Sequence, residues 1–157
     1  MTLVLLMGLQ ASGKTAFQKE RYGAPYLVIR PNGIDSFGLR CNAQAPNGKE
    51  LAAALAAGCD IVVDHTNSTR NERAHYLGAA QEAGYHTIGY YFRSDFKESL
   101  ARNAVRPAAE RVPVQVMKAT LKKFERPAWE EGFDELYYVY LDRAERFVVD
   151  GYRRAPE

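Results

Sequence analysis

The chain of 157 residues has only two cysteines, Cys41 and Cys59. Without Cys-x-x-Cys spacing they exclude a disulfide-dense scaffold and a thiolate zinc site, and they read as a pair of reduced thiols. Charge of one sign is also lacking. Lys plus Arg number 21 and Asp plus Glu 19, a formal charge of +2, too small to argue for a nucleic-acid partner by itself. No apolar run approaches the about 20 residues of a membrane span, and no basic segment precedes the first apolar run, so no secretory leader is read. Internal repeats and low-complexity stretches are missing too. These absences leave one soluble domain, residues 1–157, with a cytoplasmic setting as the expectation. Its composition, 46% hydrophobic and 25% charged, is ordinary for a globular protein with a single core.

What is present is more specific. Gly8-Leu9-Gln10-Ala11-Ser12-Gly13-Lys14-Thr15 matches G-x-x-x-x-G-K-[ST], a loop whose backbone N–H groups cradle phosphates. The apolar run Thr2 to Met7 before it reads as a buried strand, and the residues after Lys14 read as a helix. Strand, loop and helix N-terminus together form an anion site. Gly8, Ser12, Gly13, Lys14 and Thr15 are therefore the expected nucleotide contacts. Lys14 brings a point charge to the β- and γ-phosphates, and the Thr15 hydroxyl is the expected Mg²⁺ ligand. ATP or another nucleoside triphosphate and Mg²⁺ are the expected cofactors.

Strand-like and helical segments alternate, which predicts an α/β fold with a mainly parallel sheet flanked by helices. Further strands are expected at 25–30, 59–64, 86–92 and 135–141, with a short edge strand at 146–149. Helices are expected at 49–57, 69–83, 96–105 and 114–124, with Gly58 and Gly84 as stops. Residues 31–47 read as one long loop, a feature that is usually functional in a compact domain, and 151–157 as a frayed tail.

Two further clusters carry charge. Asp64 ends a buried strand, at the sheet edge where open α/β folds bind ligands. It is expected to hold the Mg²⁺ shell, the alternative being a turn or capping residue. Asn67 and Ser68 are expected to shape that turn and cap the next helix. Arg70 and Arg73, three apart on one helix face, either contact an acceptor phosphate or are solvated. Arg102 and Arg106 are four apart. They are expected to project from one side of a helix and clamp the triphosphate, the forked guanidinium matching phosphate oxygens; the alternative is a surface pair.

GLQASGKT, DHTNSTRNER and LARNAVRP…RVPVQVMKATLKKFERPAWEEGFDELYYV occur in this order. Together they resemble the 5′-kinase domain of the polynucleotide kinase family, from Met1 to about Leu141. The resemblance implies a P-loop phosphotransferase fold of the adenylate-kinase type with a helical lid, about residues 96–126. It implies transfer of the γ-phosphate of a nucleoside triphosphate to the 5′-hydroxyl of DNA or RNA, hence a nucleic-acid 5′ end as partner and a place in nucleic-acid repair. It assigns the triphosphate to Lys14, Thr15, Arg102 and Arg106, and the acid of the D-x-T-N segment to Asp64. The family's R-D-D-x-R segment is altered here: Arg30 is followed by Pro31 and Asn32. Asp35 is the nearest replacement for the general base, charged at neutral pH as an ordinary aspartate is, and Arg40 for the phosphate holder; the alternative for Asp35 is an ordinary polar loop residue. Two other functions stay open: a P-loop kinase of a small hydroxylated molecule such as a nucleoside, sugar or antibiotic, and a nucleotide-binding module without transfer activity.

Overall fold

The computed structural model describes residues 1–30, 33–35 and 49–153. Its strands are β1 (Thr2–Met7), β2 (Leu27–Arg30), β3 (Gly33–Asp35), β4 (Ile61–Asp64), β5 (His86–Phe92), β6 (Glu135–Leu141) and β7 (Phe147–Gly151). Its helices are α1 (Lys14–Arg21), α2 (Glu50–Ala56), α3 (Arg70–Glu82), α4 (Phe96–Ala104) and α5 (Val114–Lys123). The strands form one sheet in the order β3-β2-β4-β1-β5-β6-β7. The five central strands are parallel, and only the edges β3 and β7 run antiparallel. This is the P-loop, kinase-like α/β fold.

Both faces of the sheet are covered, which is why its central strands are continuous apolar runs rather than alternating ones. Leu3, Leu5 and Met7 of β1 point into one layer with Leu77 and Ala80 of α3. Val4 and Leu6 point the other way, against Phe17 of α1 and Phe92. Each of these large side chains is fully buried, and burying one stabilises the fold by about 1.5–3 kcal/mol. β1 lies between β4 and β5, so the loops leaving β1 and β4 emerge together at the C-terminal edge of the sheet.

Several expectations need correction. The stretch 31–47 is not all loop: Gly33–Asp35 pairs antiparallel with β2. The edge strand runs on to Gly151, and the Tyr152 N–H still donates to the Leu136 carbonyl, 3.0 Å, so these two residues are not a frayed tail; residues 154–157 lie outside the described residues. The helix cap before α3 is Thr69, whose hydroxyl oxygen accepts the Glu72 N–H at 3.2 Å. Ser68 instead donates its N–H and hydroxyl to the Glu72 carboxylate, and Asn67, at φ 44°, donates its side-chain amide to the Leu6 carbonyl, 2.6 Å. Cys59 is buried and disulfide-bonded, not a reduced thiol. Among the described residues no helix is long and apolar enough to cross a membrane.

Candidate functional site

The loop between β1 and α1 is shaped by glycine. Gly13 has φ +101°, a conformation that favours glycine. A Cβ on Gly8 would lie 3.0 Å from both the Phe92 Cβ and the Ser12 hydroxyl oxygen. Gly8 N–H is tied to the Thr66 carbonyl, 3.0 Å, and Leu9 N–H to the Ser94 hydroxyl, 3.1 Å. α1 has no side-chain cap and no acidic residue in its first turn. Its first helical bond is Phe17 N–H to Gly13 C=O, which leaves the N–H groups of Lys14, Thr15 and Ala16 at the helix start for a ligand.

Lys14 is buried and its ammonium is folded onto the loop. It donates to the carbonyls of Gly8 (2.9 Å) and Leu9 (2.6 Å) and reaches the Ser12 hydroxyl at 3.4 Å. Burial lowers its pKa to about 8; Asp64 opposes this and Arg106 adds to it. The lysine therefore loses its proton around pH 8 rather than around the ordinary 10.5. An anion against it restores the charged form, so binding there takes up a proton. Nucleotide affinity is expected to fall above pH 8, by up to about tenfold per pH unit. Calorimetric titration at pH 7 and pH 9 in buffers of different ionisation enthalpy checks this; equal affinities with no proton uptake would show that Lys14 does not meet the anion.

Thr15 and Asp64 face each other across the loop. The exposed Thr15 hydroxyl donates to Asp64 Oδ2, 2.8 Å. Arg30 Nε donates to the same oxygen at 3.2 Å, and Arg30 Nη2 to Gln18 Oε1 at 3.1 Å. A hydroxyl and a carboxylate are hard oxygen donors, and few protein ligands suffice for Mg²⁺, which keeps waters and binds substrate phosphates. Thr15 and Asp64 therefore fit that ion; among the described residues no group of three or more His, Cys, Asp or Glu offers another place for it.

These groups line a cavity of about 240 Å³, together with Gln10, Ala11, His65, Thr66 and Arg106. Arg106 lies beyond the end of α4 at Ala104, so the shared helix face expected for Arg102 and Arg106 does not exist. Arg102 stays on the helix, half-exposed, with Glu98 at 3.9 Å, and does not line the cavity. The segment carrying Arg106 is held by Asn103, a buried residue that sequence reasoning missed. Its side-chain amide donates to Val112 C=O at 2.7 Å and accepts Val112 N–H at 3.0 Å. Asn103→Ala is expected to remove both bonds and cost about 1–3 kcal/mol of local order. Hydrogen exchange at Val112 should quicken while that of β1 is unchanged; unchanged exchange at Val112 would show that the clip does not hold the segment.

His65 was also missed. Its Nδ1 accepts the Thr66 N–H, 2.8 Å, which leaves Nε2 as the protonated nitrogen, a tautomer inferred from that bond. Burial lowers its pKa, so at neutral pH it is an uncharged donor. The only signal for it in sequence is its place between Asp64 and Thr66.

Arg73 is neither solvated nor open to an acceptor. It is fully buried, paired with both oxygens of Glu131 at 2.7 and 2.9 Å, and donates to the carbonyls of Asn67 and Glu125, each 2.9 Å. Arg70 is exposed, with Glu125 at 3.8 Å and Glu131 at 3.9 Å. Antiparallel register sets Asp35 opposite Val28, whereas Gly33 stands opposite Arg30. Asp35 is thus two residues back from the edge that carries the phosphate loop. Arg40 lies outside the described residues.

An uncapped helix start, a buried lysine and a hydroxyl–carboxylate pair at the end of β1 and β4 define a P-loop, kinase-like nucleotide-binding domain. The chain belongs to the AAA domain family, whose model matches residues 3–127. Its fold is similar to that of Chaetomium thermophilum Kti12, solved in complex with ADP-AlF3: TM-score 0.58, 17% identity, over 91% of this chain and 92% of that one. It is also similar to a chain of the native AvrRxo1-ORF1:-ORF2 complex, with TM-score 0.61 and 17% identity, over 94% of this chain and 57% of that one.

Proposed function

We propose that the chain transfers the γ-phosphoryl group of ATP or another nucleoside triphosphate to a hydroxyl, with a polynucleotide 5′-hydroxyl as acceptor. The observation that carries the transfer reading is Arg106, delivered by the α4–α5 segment to a cavity that already holds Lys14, Thr15 and Asp64. A module that only stores nucleotide has no need of a guanidinium at the reacting end. The acceptor class rests on the motif resemblance. We read residues 1–157 as one kinase domain with a lid at about 96–126, acting in the cytoplasm.

In this reading the helix-start amides and Lys14 bind the β- and γ-phosphates. Lys14 trades the loop carbonyls for phosphate oxygens. Thr15 and Asp64 hold Mg²⁺, which neutralises charge on the phosphates when bound. Arg106 stabilises charge on the transferring phosphoryl. The acceptor oxygen bonds to the γ-phosphorus as the bond to the β–γ bridging oxygen breaks, and ADP leaves. Gly8, Ser12 and Gly13 keep the loop close to the phosphates, and Arg40 and Arg70 contact the acceptor strand; Arg102, on α4 beside Glu98, takes no part.

The hydroxyl proton is assigned to Asp35 on charge alone, because its register counts against it. Asp35→Ala is expected to slow transfer by about 10²- to 10⁴-fold if it is the base. A change within a few-fold moves the role elsewhere. The activity itself is tested with γ-labelled ATP and Mg²⁺ against 5′-hydroxyl DNA and RNA oligonucleotides and a panel of nucleosides and sugars. Label on an oligonucleotide, lost in Lys14→Ala, supports the proposal. Label only on a small acceptor makes the chain a small-molecule kinase, and binding without transfer makes it a nucleotide-binding module.

A further inference from the structure

A second cavity, about 1080 Å³, opens on the face of the sheet that carries α3. It is larger than most single-ligand pockets, which run to about 1,000 Å³. Its floor is aromatic. Tyr91 of β5 is buried and stacked on Phe124, centroids 5.6 Å apart. Tyr138 of β6 and Tyr152 flank it at 5.7 and 6.2 Å. Trp129 also lines it, on the segment that Arg73 anchors through Glu131 and the Glu125 carbonyl. Tyr138, Tyr152 and Trp129 are half-buried, so each keeps surface for a ligand.

Cations are set among these rings. Burial raises the pKa of Tyr91, Tyr138 and Tyr152, and Arg126 opposes the rise at all three, which puts its guanidinium beside every phenol of the floor. Among the described residues neither Arg126 nor Arg153 has an ion-pair partner, whereas Arg70 at the same cavity faces two carboxylates. The acids of the lining, Glu130 and Asp150, are both exposed.

Arg126 also hydrogen-bonds the Tyr91 side chain; flat faces next to guanidiniums with no carboxylate partner among the described residues suit a chain of flat rings joined by phosphates. Base–aromatic stacking tolerates any sequence, and arginine tracks the backbone. We propose that this groove binds a stretch of single-stranded nucleic acid, bases against Trp129, Tyr138 and Tyr152 and phosphates against Arg126 and Arg153. The choice of a polynucleotide over other flat anions rests on the acceptor class proposed above. Its lining shares no residue with that of the phosphate cavity, so the groove would hold the body of a strand rather than its reacting end.

Trp129 is the only tryptophan of the chain, so its emission reports this groove alone. The probe is a 5′-phosphorylated oligothymidylate of about 12 nucleotides, within the usual single-strand site size. It has no 5′-hydroxyl to accept phosphate, so binding is read apart from transfer. Saturable quenching is expected, equal in wild type and Lys14→Ala. Tyr152→Leu is expected to weaken it about 5- to 100-fold. Arg153→Gln and Arg126→Gln, both at exposed positions, should each flatten the slope of log affinity against log salt by about 0.7. The groove proposal is overturned by no quenching, by quenching equally strong with thymidine monophosphate, or by affinities that ignore all three substitutions. It is also overturned if the emission change follows protein concentration instead, the mark of a second copy on this face. Transfer to oligonucleotides with no groove binding would sink this inference and leave the proposed activity standing; groove binding with no transfer would do the reverse.

Discussion

Arg106→Ala is expected to lower the rate constant of phosphoryl transfer by about 10³- to 10⁵-fold, the range of an arginine that stabilises charge on a transferring phosphoryl group. Nucleotide affinity should change little, because the amides at the start of α1 and Lys14 carry ground-state binding. Arg102→Ala should stay within a few-fold of wild type. The contrast comes from where the structure places the two side chains. Arg106 lines the phosphate cavity and lies close enough to depress the Lys14 pKa. Arg102 stays on α4 with Glu98 near it. Single-turnover rates for the two variants decide the matter. Equal losses would mean that the lid moves far enough on binding to bring both in, and a negligible loss for Arg106→Ala would remove the electrostatic role assigned to it.

The second large effect concerns stability. Arg73→Ala is expected to destabilise the fold by about 3–5 kcal/mol, the cost of breaking a buried ion pair and leaving one charge behind. Arg73 has no exposed surface. Its loss leaves the Glu131 carboxylate, about 9% exposed, without its bidentate partner, and frees the carbonyls of Asn67 and Glu125. At about 2–4 °C per kcal/mol for a chain of this size, the melting temperature should fall by roughly 6–20 °C. Removing the charge as well, in Arg73→Met with Glu131→Leu, should recover much of it. A melting temperature within a few degrees of wild type for Arg73→Ala would show that the pair is not a structural tie.

Arg73 illustrates what the sequence leaves out. The three-residue spacing of Arg70 and Arg73 does set their relation on α3, but it says nothing of what that face meets. The face meets Glu125 and Glu131, more than fifty residues further along the chain, and only Arg73 is drawn inside. The shape of the phosphate loop was legible because all of its parts are consecutive and each has a local reason: glycine for the turn, then lysine and threonine opening the helix. The five central strands were legible as apolar runs, with ends off by no more than two residues. The short β3 was not, because Gly33–Asp35 pairs only through a chain reversal that its own composition does not announce. Arg106 is read from the sequence as one of a helical pair over the triphosphate; it does line the cavity, yet the helix stops before it, so reasoning from helical spacing grouped it with the wrong partner.

The tyrosines of β5 and β6 show the same limit. In a strand, neighbours point to opposite faces. Tyr90 and Tyr137 stack at 5.3 Å in the α1 layer, as expected of packing residues. Tyr91 and Tyr138 fall on the other face and floor the second groove. Composition alone gives both pairs the same reading; only the tertiary arrangement sets one of them in the lining of the second groove.

The central claim is that the start of α1, Lys14 and Arg106 surround the transferring phosphoryl group. A crystal grown with Mg²⁺, ADP and aluminium fluoride, a mimic of that group in flight, tests it most directly. The expected result is a planar fluoride between the Lys14 ammonium and the Arg106 guanidinium, with the metal on the Thr15 hydroxyl. Nucleotide bound elsewhere, or Lys14 still folded onto the Gly8 and Leu9 carbonyls beside an occupied site, would contradict it.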